Sequence, residues 1–247
     1  MPRDWDASTY DRIADPMFRW GVVVVGWLDL EGRERVLDAG CGSGRVTEVL
    51  LDRLPRGRVV ALDGSPSMLE EARQRLARFG ERVEYVLADL ARPLPVAEPV
   101  DAILSTATFH WVRDHDVLFA NLAAVLRPGG QLAAQCGGAG NLATVTAALR
   151  ELDVDPFTSK TFPSPEETEE RLRRTGFEDV SCWLHEEPTR FDARDELETY
   201  LATVVLGDQV HERSPADARA FVAAVAERLP RLELDYVRLN IRARRAG

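Results

Sequence analysis

The chain is poor in cysteine, in lysine and in long apolar runs. Its three cysteines, Cys41, Cys136 and Cys182, are far apart and odd in number, and no two stand as Cys-x-x-Cys. That pattern encodes neither a disulfide framework nor a metal site, so none is expected, and it points to the reducing cytoplasm. No apolar run reaches the ~18 residues a membrane span needs. The longest, residues 21–28, lies between Arg19 and Asp29. The opening Met-Pro-Arg-Asp-Trp-Asp brings acids at once with no apolar stretch behind a basic head, so no secretory leader is expected. An excess of positive charge is also missing. With 31 basic and 41 acidic residues the formal net charge is -10, which disfavours nucleic acid as a partner. Lys160 is the single lysine; the preference for arginine reads as gene base composition rather than function.

The remaining composition is that of a folded chain, 45% hydrophobic and 29% charged, over 247 residues, enough for a sizeable core. Residues 33–137 alternate short apolar runs with helical patterns, the signature of βα units on a parallel sheet. Strands are expected at residues 35–39, 58–62, 83–88, 99–105 and 131–136. Helices are expected over 46–54, from a Ser65 cap with Pro66 to Gly80, and from an Asp114 cap to Leu126. Beyond residue 140 the pattern is less regular. Helices are expected at 142–152, 192–206 and 214–229, and another behind the capping box Ser164-Pro165-Glu166-Glu167. Strands are expected at 177–185 and 232–241. The first 30 residues, rich in Trp5, Tyr10, Phe18, Trp20 and Trp27, read as a separate helical piece, with the main domain at 31–247.

Strand one runs into Val36-Leu37-Asp38-Ala39-Gly40-Cys41-Gly42-Ser43-Gly44-Arg45. A strand, then Gly-x-Gly-x-Gly, then a helix is a turn whose backbone passes close to a ligand. The dinucleotide fingerprint needs its third glycine where Arg45 stands, and no Gly-Lys-Ser/Thr follows for a phosphate loop. Nineteen residues after Gly44, Asp63 closes strand two, where a carboxylate can accept the hydroxyls of a ribose. Loop and acid together specify a nucleoside-containing cofactor without a demand for phosphate.

These blocks resemble the class I S-adenosylmethionine-dependent methyltransferases. VLDAGCGSG, ALDGSPSMLEEAR, EYVLADL, DAILSTATFHWV and LRPGGQL occur in that family's order across residues 35–137. The resemblance implies an α/β, three-layer Rossmann-like fold. Its seven-stranded mixed sheet has the order 3-2-1-4-5-7-6 with the last strand antiparallel, and residues 1–30 serve as a helical lid. It implies S-adenosyl-L-methionine as cofactor. Asp38 would order the loop and the cofactor's amino end, while Gly40, Gly42 and Gly44 let the backbone approach. Asp63 would take the ribose hydroxyls, followed by Gly64 and Ser65 in the same loop. Met68 would lie along the adenine, Asp89 and Leu90 would contact its edge, and Ser105 and Thr106 would lie near the methionine end.

The segments Trp5–Tyr10 and Phe109–His115 resemble the trans-aconitate methyltransferase branch, which methylates a small carboxylate; His110 stands where that branch carries glutamine. The same region also resembles a malonyl-carrier-protein methyltransferase and natural-product enzymes. A small-molecule acceptor is expected, with carboxyl O-methylation leading. Acceptor-facing candidates are Tyr10, Arg12, Arg19, His110 and Trp111, with Tyr10 and His110 the catalytic candidates. An O-, N- or C-methyltransferase using His110 as base stays open, as does a cofactor-binding domain without turnover. His110 itself reads as base, hydrogen-bond donor or packing residue. His115, beside a helix cap, is expected at the surface. No Asn/Asp-Pro-Pro-aromatic motif follows strand four, where Ser105-Thr106-Ala107-Thr108 stands, which argues against a nucleic-acid methyltransferase.

Overall fold

The structure is a computed structural model that describes residues 15–157, 159–211 and 213–247. Five strands form the parallel part of a sheet: β1 Arg35–Ala39, β2 Arg58–Asp63, β3 Val83–Leu87, β4 Val100–Thr106 and β5 Leu126–Gly137. β6, Phe177–Glu186, and a late strand, Val237–Arg245, complete it. With two-residue strands at Thr189–Arg190 (β7) and Glu233–Leu234 (β8) counted in chain order, the late strand is β9. The sheet order is β3-β2-β1-β4-β5-β9-β6, the order expected from the resemblance. β9 is antiparallel to both its neighbours, with Gln135 opposite Asn240 on β5 and Cys182 opposite Ile241 on β6.

Alternate residues of the parallel strands bury on opposite faces, which is why the strands read as near-continuous apolar runs. Val36, Val59, Ala61, Ala102 and Leu104 pack under α1 (Asp15–Val25), α2 (Arg45–Asp52) and α3 (Pro66–Leu76). Leu37, Val60, Leu62 and Ile103 pack under α4 (His115–Val125) and α6 (Pro165–Arg174). A third cluster joins α5 (Ala143–Glu151), α7 (Arg194–Tyr200) and α9 (Pro215–Arg228) to Trp20 and Leu234. α8 is the short Gly207–Val210. Helix starts follow the local chemistry: Ser65 accepts from Met68 N, Asp114 from Val117 N, and Ser164 and Glu167 exchange both bonds of the capping box.

Among the differences from the sequence expectation, three stand out. The strand expected at 232–241 is two strands, β8 and β9, because the chain turns at Asp235, whose carboxylate accepts from Thr144 N and Oγ1. β9 then continues to Arg245, its Arg238, Asn240 and Arg242 on one face and Leu239, Ile241 and Ala243 on the other. The helix expected at 192–206 ends as α-helix at Tyr200 and widens into a π turn over Leu201–Val205. His115 is buried rather than exposed, its Nε2 3.0 Å from the Phe109 carbonyl and its ring edge-on to Phe119.

Residues 1–14 of the expected lid, with Tyr10 and Arg12, lie outside the described residues. Its described part, α1, buries Val24 and Val25 together with Leu50, Leu51 and Leu54.

Candidate active site

At the carboxyl ends of β1, β2 and β4 a cleft of about 820 Å³ opens. Its loop is tied back onto β2: Gly40 N and Cys41 N both donate to the Leu62 carbonyl, at 2.8 and 2.9 Å. Asp63 holds the rest, its Oδ2 accepting from Gly42 N and its Oδ1 from Ser65 N, each at 2.8 Å. Two glycines are dictated by geometry. A Cβ on Gly40 would fall 2.2 Å from Thr108 Oγ1, and Gly40 has φ +88°. Gly42, at φ +55°, faces open space in the cleft, with nothing within 4 Å of where a Cβ would stand.

The cleft collects Gly40, Gly42, Asp63, Gly64, Met68, Asp89, Leu90, Thr106, His110 and Trp111 from the sequence candidates. Met68 is nearly buried, and Asp89 Oδ1 accepts from Ala91 N at 2.9 Å. Four candidates stand behind the wall instead. Gly44 is packed toward Ala72 and Leu76 of α3. Ser65 is a helix cap. Ser105 is buried and donates to the Ala39 carbonyl at 2.6 Å, joining β4 to β1. Asp38 is 1% exposed and accepts from Thr47 Oγ1 at 2.7 Å, while its Oδ1 is buried without a hydrogen-bond partner among the described residues. Burial pushes the Asp38 carboxyl up to about 7 against the Thr47 bond, with the charge of Asp63 adding to the rise. Arg19 is exposed and lines a separate pocket with Arg190 and Glu196, because α1 turns that face away from the sheet.

The far end of the cleft is cationic, and its two main charges are ones sequence reasoning missed. Lys160, on the segment between α5 and α6, donates to the Val205 carbonyl at 2.8 Å and lies 4.5 Å above Trp111 and 4.4 Å above Phe157. Arg238 of β9, 2% exposed, donates from Nε to Gln135 Oε1 at 3.4 Å and covers the Trp20 ring at 4.6 Å. A buried arginine is costly unless it is paired or put to use. Its one sequence signal is its place in the alternation of a strand whose other inward residues are apolar or amide.

His110 sits between these cations and the cofactor loop. Its ring stacks on Phe162 (6.0 Å, 27°) and leans on Trp111 (5.3 Å). Gly137 N donates to its Nδ1 at 3.4 Å. Burial holds its pKa well below the ordinary histidine value, and the charges of Arg238, Lys160 and His115 press it further down. No group of three or more His, Cys, Asp and Glu able to hold a metal occurs among the described residues, and no described helix is long and apolar enough to cross a membrane.

Comparison with known proteins agrees with this layout. Residues 36–130 match the methyltransferase domain family. Trans-aconitate 2-methyltransferase of Methylobacterium nodulans is 34% identical over 183 residues, 73% of this chain and 67% of the relative. The enzyme of that name from Azoarcus sp. is 40% identical over 131 residues, 53% of this chain and 50% of the relative. The first such matches span about half the length of the curated relatives. Among solved structures, phosphoethanolamine N-methyltransferase 2 of Haemonchus contortus, in complex with S-adenosyl-L-methionine, superposes with a TM-score of 0.65 at 20% identity, covering 98% of this chain and 56% of that one. At that identity the likeness concerns the fold alone. Sheet order, glycine loop and the 183-residue alignment agree: the chain belongs to the class I S-adenosylmethionine-dependent methyltransferases and resembles their trans-aconitate 2-methyltransferase branch.

Proposed function

We propose that this chain transfers a methyl group from S-adenosyl-L-methionine to a carboxylate oxygen of a small organic acid. One observation carries the reading: the cleft has two acids and an open glycine by the ends of β2 and β3 (Asp63, Asp89, Gly42) and, across the sheet order, Lys160 and the Arg238 of β9, with Arg45, Arg113 and Asp114 also on its wall. The first end suits a nucleoside. Asp63, fixed by two loop amides, is aimed where ribose hydroxyls would donate, and Met68 and Leu90 offer apolar faces to a base. The cofactor would supply an activated methyl on a sulfonium. The second end suits an anion, because a buried arginine beside a half-buried lysine attracts a carboxylate more strongly than solvated cations do. The volume, about 820 Å³, is that of a site for a cofactor-sized ligand together with a small one.

The chain's own task is alignment and exclusion of water. Proximity and orientation are worth up to ~7–11 kcal/mol in favourable cases. Met17 and Phe18 of α1 line the cleft, with Arg45 4.6 Å over the Phe18 ring. They support a reading of residues 1–30 as a cover over the methyl group, and Tyr10 and Arg12 belong to that proposal. The three free cysteines suit a cytoplasmic setting.

The test is transfer of labelled methyl from S-adenosyl-L-methionine to a panel of di- and tricarboxylic acids, phenols and amines. Label entering acids as base-labile ester supports the reading. Label entering only phenols or amines overturns the acceptor assignment, and cofactor binding without transfer to any panel member overturns the catalytic one. Asp63→Ala is expected to weaken cofactor affinity about tenfold or more by calorimetry, the worth of a charge-assisted hydrogen bond; unchanged affinity would remove the ribose role.

A further inference from the structure

His110 lines the acceptor end of the cleft, and its surroundings separate the roles of base and donor. A neutral imidazole has one nitrogen that donates and one that accepts. The Nδ1 of His110 takes the Gly137 N–H at 3.4 Å, so the ring proton belongs on Nε2. Nε2 bonds to nothing among the described residues and is not sealed in the interior. The ring has little freedom to turn. Trp111 and Phe162 hold its faces, and its own carbonyl accepts from Thr161 N at 2.8 Å, which pins the turn to the Lys160 segment. The charged and titratable groups that bear on it are Arg238 from β9, Lys160 from the α5–α6 segment and His115 from α4, and all three oppose a second proton.

We infer that His110 is a fixed, neutral N–H donor that grips a carboxylate of the acceptor through Nε2 and is not the base of the reaction. The inference rests on the proposed function in one respect, that the acceptor enters this cleft. The acceptor must then arrive already ionised. A lone pair on the carboxylate oxygen forms the new O–CH₃ bond while the S–CH₃ bond breaks and its electron pair stays on sulfur, so no proton is taken up or released. A phenol or carbon acid would have to lose a proton to a base, and a ring with Nδ1 engaged and Nε2 already protonated does not accept one.

Two measurements test this. The first needs neither cofactor nor acceptor. Imidazole ¹⁵N–¹H correlation spectra of the ¹⁵N-labelled chain are recorded across pH, with the His110 signals identified by their loss in His110→Gln. The expected result is the Nε2–H tautomer with a protonation midpoint below the ordinary histidine value. An Nδ1–H tautomer, or a midpoint at or above that value, overturns the inference. The second uses the best acid from the panel. Wild-type kcat is expected to be flat between about pH 6 and 9. His110→Ala is expected to lose about 10- to 100-fold in kcat/KM, most of it in KM, the range of a charge-assisted hydrogen bond. His110→Gln, which restores a side-chain N–H but cannot serve as a base, is expected to recover to within tenfold of wild type. A limb near neutral pH in wild type that vanishes in His110→Ala, or a His110→Gln as poor as His110→Ala, overturns the inference. Calorimetry with S-adenosyl-L-methionine checks that both variants keep a folded cofactor site; where they do not, the spectra alone decide. A chain that passes the spectroscopic test and methylates no acid sinks the proposed function and leaves the tautomer standing. The wrong tautomer in a chain that methylates acids does the reverse.

Discussion

Asp38 shows how one side chain ties stability to pH. Its carboxyl is sealed under the glycine loop, one oxygen on Thr47 and the other without a hydrogen-bond partner among the described residues, and burial raises it to about 7. An unfolded aspartate titrates near 3.9. Between those values the folded chain holds a proton that the unfolded chain has released. The contribution of Asp38 to stability is therefore full below about pH 4 and is lost as pH rises towards 7, on the order of 4 kcal/mol at most. Asp38→Asn is expected to be more stable than wild type at pH 8 without ligand, with the gap shrinking steadily towards pH 4; urea midpoints along a pH series check this. The cationic end of the cleft carries its own expectation. Lys160→Met should raise the acceptor KM roughly 10- to 100-fold while cofactor affinity by calorimetry is unchanged. Lys160 and Arg238 were not legible in the sequence. Neither lies in a motif with a spacing rule, and each reaches the cleft only through long-range packing, Lys160 over Trp111 and Phe157, Arg238 through Gln135. His115 misled for a related reason: a polar residue after a helix cap looks solvated until Phe109 and Phe119 close on it.

Elements with strong local chemistry were legible nearly to the residue. β1, β2 and β4 announce themselves by apolar runs, and the Ser65, Asp114 and Ser164 caps mark true helix starts. The Ser164 box gives a clean element-level expectation. Ser164→Ala should cost about 1 kcal/mol, within the usual 0.5–2 for a lost cap, with cofactor affinity intact, since α6 sits on the sheet face away from the glycine loop. The turn at Gly40 should be far less forgiving. In Gly40→Ala the new methyl meets Thr108 and the backbone must keep φ near +88°. A loss of roughly 2–4 kcal/mol is expected from the overlap and the strain, read as a lowered urea midpoint. The later elements were less legible because side chains from elsewhere decide them. Asp235 breaks one apparent strand in two by bonding Thr144, and a π turn ends the helix expected to reach residue 206. The same Gly-x-Gly-x-Gly pattern that located the loop could not tell which members face the cleft: Gly42 does, while Gly44 packs on α3.

Across the whole molecule, ligand and fold are linked by mass action. A cofactor at a hundred times its dissociation constant stabilises the folded chain by about 2.7 kcal/mol, which for a chain of this size raises Tm by roughly 5–10 °C. Thermal unfolding with S-adenosyl-L-methionine should show that rise. Asp63→Ala at the same concentration should show about half of it; an equal shift would mean that the carboxylate does not touch the ligand. The placement of β9 has a consequence for synthesis. A ribosome makes the chain in order, so β1 to β5 can pair while the rest is still being added. β6 emerges next, yet its place in the sheet lies beyond a strand not yet made. Until β9 arrives, β5 is a bare edge and β6 has no partner in the sheet, a state open to mispairing with a neighbouring chain. The strand that seals this edge also delivers Arg238, so a nascent chain can shape its glycine loop well before it acquires the cation to which the proposed function assigns the acceptor.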